Sequence, residues 1–191
     1  ADNVFSAGLE SEGILKSKLE ILDGLKEGSP FIINVDNDML QTILDNDNIM
    51  TKYNVITFGI ESDNSNFKAV NIKEENGSTS FDIIYSVSKI IDETDGPTAV
   101  FSVNTQHITI PTIGIHNVYN ALAAFTVGIT LDIEPQTAAN ALSAYVPAGM
   151  RQRNINVGGI TSIEDCYNAS PDSMKAALKT LANTKTHCHC K

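Results

Sequence analysis

The stretch from residue 30 to residue 60, PFIINVDNDMLQTILDNDNIMTKYNVITFGI, decides the fold class. PFIINVD at its start is an apolar run that predicts a fully buried strand, and NVITFGI at its end predicts the next strand. NDMLQTILDN between them has the apolar spacing of a helix. A strand, a helix and a second strand in this order predict a parallel βαβ unit, and therefore an α/β fold.

The segments on either side of this unit differ in their patterns. Before it, residues 10–25 carry leucines and isoleucines at helical spacing, which predicts an amphipathic helix that ends near Gly24 or Gly28. After it, residues 66–110 are strand-like segments broken by EENGST, ETDGP and NTQ, which predict an antiparallel meander. Two helices are expected next, over residues 115–131 and 135–145.

The last part of the chain starts a new unit. VPAGMRQR, residues 146–153, contains a proline and a glycine and is typical of a hinge. GGITSI then predicts a strand, and the following helix is expected to have Ser170 as its N-cap and Pro171 in its first position. We therefore predict two units, residues 1–148 and the beginning of a second domain over residues 149–191.

Composition limits the class of protein. The chain has 191 residues with 42% hydrophobic content, which suits a globular fold, and a net charge of -10, which argues against a nucleic-acid surface. The sequence has no apolar run that would span a bilayer and no secretory signal pattern, so we expect a cytoplasmic protein. Three cysteines without framework spacing fit a reducing compartment. The missing initiator Met and the ending THCHCK suggest a piece of something larger.

The stretch GIHNVYNALAAFTVGI, which begins at Gly114, is the first candidate binding element. Asn117 and Asn120 share a helix face with Ala121 and Ala124. An asparagine amide donates and accepts at once, as the N6 and N7 edge of adenine requires, and the alanines would let a flat ring approach. A helix that begins with polar residues and packs its alanine face on a sheet explains the same pattern. His116, at the helix start, fits either interpretation.

A second group of candidates surrounds the last strand. Asp165, Tyr167 and Asn168 follow it at its carboxyl end, where open α/β folds bind their ligands. Arg151 in the hinge has a guanidinium that could clamp a phosphate or a ribose, and a surface salt bridge explains it equally well.

Three other features have ordinary explanations. Lys18 points to a different helix face from Lys16 and Glu20, and a solvated lysine is the default for such a position. His107 lies in a strand pattern and is expected to be structural. The terminal HCHC resembles a metal cluster, but one short run cannot supply four tetrahedral ligands by itself, and a shifted reading frame also explains it.

Taken in order, the stretches IGIHNVYNALAAFTVGI, VPAGMRQR and GGITSIEDCYNASPDSMKAAL resemble the Mur ligase family of peptidoglycan synthesis. EGILKSKLEIL and FIINVDND are similar to the family's central domain, so the resemblance covers nearly the whole chain. It implies the later part of an ATPase domain, with a parallel sheet and a small antiparallel sheet, followed by the start of a Rossmann-like C-terminal domain. The last stretch is most similar to the branch that joins D-alanyl-D-alanine to UDP-N-acetylmuramoyl-tripeptide.

The resemblance also implies an activity and a set of roles. The family forms amide bonds with ATP and magnesium, through an acyl phosphate that an amine attacks. Lys18 matches a lysine that is carbamylated and helps to hold magnesium, and Asn117 matches the asparagine that contacts adenine. The remaining nucleotide-binding positions are His116 and Asn120 beside that asparagine, Arg151 and Asp165 at ribose or phosphate, and Tyr167 and Asn168 at the mouth of the cleft.

The chain departs from the family pattern in its first part. It contains no GxxxxGK[ST] loop and no matching upstream glutamate, and the family histidine expected before Glu12 is absent where the sequence reads NVFSAG. Without that loop phosphoryl transfer loses most of its electrostatic stabilisation, so we expect the isolated chain to be inactive. A folylpolyglutamate or cyanophycin synthetase-like ligase, or a noncatalytic nucleotide-binding module, remains an alternative.

Overall fold

A computed structural model of the chain describes residues 13–75, 77–93, 96–146, 153–164 and 171–183. A helix over residues 13–19 (α1) continues as a 3-10 turn, Glu20–Gly24. The strands are β1 Pro30–Asn34, β2 Asn54–Gly59, β3 Phe67–Glu75, β4 Ser78–Glu93, β5 Gly96–Ile110, β6 Arg153–Val157 and β7 Ile160–Glu164. The other helices are α2 Asp38–Gln41, α3 Asp47–Lys52, α4 Ile115–Thr130, α5 Pro135–Ser143 and α6 Pro171–Asn183.

The first five strands form one mixed sheet in the order β1-β2-β3-β4-β5. β1 pairs with β2 in parallel along its whole length, and β2 pairs with β3 in parallel only at Phe58–Phe67 and Gly59–Lys68. β3, β4 and β5 pair antiparallel. The predicted parallel unit and the antiparallel meander after it are both confirmed, and they belong to a single sheet.

The connection between β1 and β2 differs from the prediction. The single helix expected over residues 37–46 is wrong, because this segment divides into α2 and a 3-10 turn, Thr42–Asp45, before the unpredicted helix α3. The side chain of Asn37 accepts from the N–H of Leu40, and that of Asn46 accepts from the N–H of Ile49. Each asparagine therefore caps a helix. Asn46 stands at the end of the expected helix, and the helical segment changes from an α-helix to a 3-10 turn at Thr42 before it reaches that residue.

Helix α4 covers the sheet and forms the main core with it. Phe125 of α4 is fully buried, and its ring lies edge-on to those of Tyr85 at 5.5 Å and Phe67 at 6.4 Å. Phe67 and Tyr85 stack on each other with ring centres 5.3 Å apart. Burying three large aromatic rings in one cluster fixes the position of α4 on the sheet.

A second, smaller core lies beside β1. Ile33, Val35 and Ile43 are buried, and Leu15 and Leu19 of the first helix pack against them. The first helix therefore faces the protein with its leucines, as the amphipathic pattern predicted.

β6 and β7 form an antiparallel pair, joined by Gly158 and Gly159. Both glycines have positive φ, 60° and 83°, which suits a two-residue hairpin turn. β7 confirms the strand predicted from GGITSI, β6 was not predicted, and α6 begins at Pro171 as expected. The hinge residues 147–152 lie outside the described residues, so the domain division at residue 148 stays a prediction. No helix of the described ranges is long and apolar enough to cross a membrane.

Candidate functional site

The carboxylate of Asp36 gathers hydrogen bonds at the carboxyl end of the parallel strands. Its Oδ2 accepts from the N–H of Ile60 at 2.5 Å, from the N–H of Glu61 at 3.0 Å and from the hydroxyl of Tyr119 at 2.8 Å. Its Oδ1 accepts from the N–H of Ser62 at 2.8 Å. One side chain that follows β1 thus holds the turn after β2 and the first part of α4.

The two side chains of this contact have opposite pKa shifts. Burial raises the pKa of the Asp36 carboxyl, but the three backbone N–H groups and the Tyr119 hydroxyl together hold it below its usual value. Burial raises the pKa of Tyr119, and the hydrogen bond to the Asp36 carboxylate raises it further. At neutral pH Asp36 is therefore a carboxylate and Tyr119 a hydroxyl that donates to it.

The backbone just before α4 is also fixed to the sheet. The Oε1 of Glu74, in β3, accepts from the N–H of Gly114 at 2.8 Å. The buried hydroxyl of Thr79, in β4, donates to the carbonyl of Thr112 at 2.7 Å. Gly114 has φ of 103°, a conformation that favours glycine, so the chain can turn tightly at this residue into α4.

Three predicted site residues lie together in the first turns of α4. His116 and Asn117 are half-buried and Asn120 is exposed. The Nδ2 of Asn117 donates to the carbonyl of Ile113 at 2.8 Å, so the side-chain amide is oriented by the backbone that precedes the helix. A hydrogen bond to the backbone before the helix agrees with the interpretation of Asn117 as a polar residue of the helix start. The predicted contact of Asn117 with adenine stays a prediction.

Lys18 lies apart from these residues in the chain, on the helix over residues 13–19. Its side chain is exposed and lines a surface pocket with Gly13, Ile14 and Ser17. Its neighbour Leu19 packs toward the smaller core, so Lys18 faces solvent as the ordinary interpretation expects. The carbamylation that the resemblance implies for Lys18 stays a prediction.

The remaining predicted site residues, Arg151, Asp165, Tyr167 and Asn168, lie outside the described residues, as does the HCHC run. Their proposed roles stay predictions. Within the described ranges no three His, Cys, Asp or Glu side chains come together in a way that could hold a metal.

His107 has the structural position that its strand pattern predicted. Its Nδ1 lies 2.7 Å from a carboxylate oxygen of Asp82, which links β5 to β4 on the exposed face of the sheet. The other carboxylate oxygen of Asp82 accepts from Asn71 in β3, and the hydrogen bonds of Asn71 and His107 lower the pKa of Asp82. The three side chains connect three neighbouring strands.

Sequence reasoning missed Asp36 and Tyr119. A signal for Asp36 was present, because it directly follows a buried strand, at the edge where α/β folds bind ligands. Nothing in the sequence signalled its partner, since Tyr119 is 83 residues away and has an ordinary helical neighbourhood.

The fold is an α/β protein with a mixed five-stranded sheet, covered by a helix that begins with a histidine and an asparagine. Comparisons identify the family to which it belongs. The model of the Mur ligase middle domain matches residues 9–128. The chain belongs to the Mur ligase family. The resemblance inferred from the three motifs is confirmed.

Two curated relatives show the range within the family. The UDP-N-acetylmuramoyl-tripeptide--D-alanyl-D-alanine ligase of Bacillus subtilis is 36% identical over 169 residues, which are 88% of this chain and 31% of the relative. The UDP-N-acetylmuramate--L-alanine ligase of Rickettsia bellii is 31% identical over 157 residues, which are 82% of this chain and 30% of the relative. The chain thus spans about a third of the length of these relatives.

A solved structure agrees with the α/β fold. MurF from Acinetobacter baumannii superposes with a TM-score of 0.72 at 23% sequence identity, over 91% of this chain and 34% of that one. The superposition covers 91% of this chain, and the five-stranded mixed sheet with its helices makes up most of the described residues.

Proposed function

We propose that this chain is part of an ATP-dependent ligase that joins D-alanyl-D-alanine to UDP-N-acetylmuramoyl-tripeptide. The observation that carries the proposal is the 36% identity over 88% of the chain with the Bacillus subtilis ligase of that name. In this proposal residues 1–148 belong to the central ATP-binding domain and residues 149–191 begin the C-terminal domain. A cytoplasmic location follows from the use of ATP.

The proposed reaction has two steps. The γ-phosphate of ATP passes to the terminal carboxylate of the tripeptide, which gives an acyl phosphate and ADP. The amine of D-alanyl-D-alanine then attacks the acyl carbon, an amide bond forms, phosphate leaves and the amine loses a proton. Positioning of the nucleotide and stabilisation of its charge account for most of the rate in such transfers.

The first turn of α4 is assigned to the adenine base. Asn117 has an amide that matches the N6 and N7 edge of adenine, and the Ile113 carbonyl orients this amide. His116 and Asn120 flank it in the same turns. Arg151 and Asp165 are assigned to ribose or phosphate, and Tyr167 and Asn168 to the mouth of the cleft.

Lys18 is assigned to magnesium. In this proposal its amine is carbamylated, and the carbamate supplies the oxygen ligands that magnesium prefers. Bound magnesium would neutralise negative charge on the phosphates. The other ligands would come from residues beyond the described ranges or from the nucleotide.

The test is a ligase assay on the protein expressed from the complete reading frame that contains this chain. UDP-N-acetylmuramoyl-tripeptide with D-alanyl-D-alanine is compared with UDP-N-acetylmuramate and L-alanine, the pair named for the Rickettsia relative. We expect ATP-dependent product from the first pair. Product from the second pair alone would reassign the chain within the family, and nucleotide binding without any product would favour the noncatalytic module.

A further inference from the structure

We propose that Asp36 and Tyr119 are positioning residues for nucleotide recognition: their hydrogen bond holds the first turns of α4 where Asn117 can read adenine. This inference rests on the proposed function, because it assigns the adenine contact to Asn117. It adds two residues that touch no substrate and act through the helix that carries Asn117.

Hydrogen bonds that attach the chain to the sheet region lie both before and after Asn117 in the sequence. Before it, Glu74 holds the N–H of Gly114 and Thr79 holds the carbonyl of Thr112. After it, the hydroxyl of Tyr119 donates to Asp36 at 2.8 Å. This last contact attaches the helix itself to the carboxyl edge of the parallel strands, whereas the other two attach the backbone that precedes it.

Asp36 is itself rigidly held, which qualifies it as a fixed reference point. Its remaining bonds come from the N–H groups of residues 60–62, at the start of the loop between β2 and β3. At the other end of this loop Asn66 accepts from the N–H and the hydroxyl of Thr57 at 2.8 Å, and its own N–H donates back to that hydroxyl at 2.9 Å. The loop is thus tied to the sheet at both ends.

Recognition of a base edge depends on the accuracy of this arrangement. A bidentate contact needs both donor and acceptor within normal hydrogen-bond distance and angle, and hydrogen bonds weaken steeply outside those limits. A displacement of the helix start by a fraction of an ångström would therefore weaken the contact with adenine. The proposed function gives Asn117 no contact with the peptide substrates, so their binding should not change.

The experiment uses Tyr119→Phe in the ligase expressed from the complete reading frame. This substitution removes one hydroxyl and leaves the ring in place. The matched control is Tyr53→Phe, because the hydroxyl of buried Tyr53 also makes a single hydrogen bond, to the carbonyl of Leu22 at 2.9 Å. The measurements are the KM values for ATP, GTP and D-alanyl-D-alanine, together with kcat.

For Tyr119→Phe we expect KM for ATP to rise about fivefold, as the loss of one hydrogen bond predicts, and the preference for ATP over GTP to fall by a similar factor. KM for D-alanyl-D-alanine stays unchanged, and Tyr53→Phe changes neither ratio. A partly unfolded preparation lowers kcat for every substrate but leaves the KM values intact, so a stability defect does not imitate this result.

A second variant tests whether the two residues act as a unit. Asp36→Asn alone should lower the ATP preference, and the double variant should lower it no further than the more damaging single variant. An unchanged ATP preference in Tyr119→Phe, or equal losses in Tyr119→Phe and Tyr53→Phe, would overturn the inference. A parent protein that forms no ATP-dependent product would instead contradict the proposed function.

Discussion

A Cβ atom placed on Gly59 would lie 2.8 Å from Oδ1 of Asp36 and 3.1 Å from the carboxyl carbon. Gly59 ends β2 directly before the three residues whose N–H groups bind this carboxylate. The glycine is therefore required by the space that the neighbouring side chain occupies.

Gly59→Ala should destabilise the protein. The added methyl group must displace a carboxylate that four donors hold, and we expect a loss of about 1–3 kcal/mol in unfolding free energy, as for other overpacked sites. Urea denaturation measures this loss. Gly24→Ala is the control, since a Cβ there meets nothing within 4 Å. Equal stability of the two variants would mean that Asp36 moves aside without cost.

Asp36→Asn should reduce stability in a pH-dependent way. The folded protein lowers the pKa of Asp36, so the charged form stabilises the fold at neutral pH. As the pH falls through the unfolded value of about 3.9, the unfolded chain takes up the proton first and this contribution is lost toward the lower folded pKa. The stability difference between the parent and Asp36→Asn should therefore be full above about pH 5 and shrink in stronger acid.

Urea denaturation at a series of pH values measures that difference. Asp45→Asn, a substitution at an exposed position, reports the effect of removing one surface charge. A difference between the parent and Asp36→Asn that stays constant from neutral pH into strong acid would show that the carboxylate charge contributes nothing.

Lys18→Ala should separate activity from stability. The side chain is exposed, so unfolding free energy should change by no more than about 0.5 kcal/mol. Loss of a carbamate ligand should reduce turnover of the complete ligase by at least on the order of a hundredfold, with partial recovery when a small carboxylate such as acetate is added. Lys16→Ala, at another exposed position of the same helix, is the control. Near-normal turnover would make Lys18 a surface charge only.

Asn117→Ala should weaken the binding of ATP more than the binding of the peptide substrates. A bidentate base contact contributes roughly 1 to 3 kcal/mol, so the Kd for ATP should rise about 5- to 150-fold. Calorimetric titration with ATP measures it, and the exposed Asn140→Ala of α5 is the control. Unchanged ATP affinity would limit Asn117 to its hydrogen bond with the Ile113 carbonyl.

The parts of the fold that the sequence predicted are those with strong local patterns. The apolar runs of β1 and β2 and the helical spacing of α4 are each contained in a short window, so their type was correct. The single helix expected over residues 37–46 was wrong because the helical segment changes from an α-helix to a 3-10 turn at Thr42. The helix α3 was missed because Asn46, which resembles any polar helix residue in a pattern, acts as its cap. Local spacing does not show which of two roles an asparagine adopts.

The candidate site, like the fold, has a part that local sequence patterns predict and a part that they do not. His116, Asn117 and Asn120 lie in one continuous motif, so the sequence predicted that they would lie together. The contact of Asp36 with Tyr119 joins the turn after β1 to a helix that is distant in the chain, and the contact of Glu74 with Gly114 spans 40 residues. Contacts between residues so far apart in the sequence depend on the register of the whole sheet, which no local pattern specifies.

The distance between Asp36 and Tyr119 along the chain has a consequence for synthesis on the ribosome. Asp36 emerges 83 residues before its partner, so the parallel strands exist for some time without the helix that covers them. Once Phe67 and Tyr85 have been added and until α4 follows, the sheet face that later packs against Phe125 is open to water and to other nascent chains. We expect this window to be the stage at which the chain depends most on chaperones, and to close only when α4 has been released.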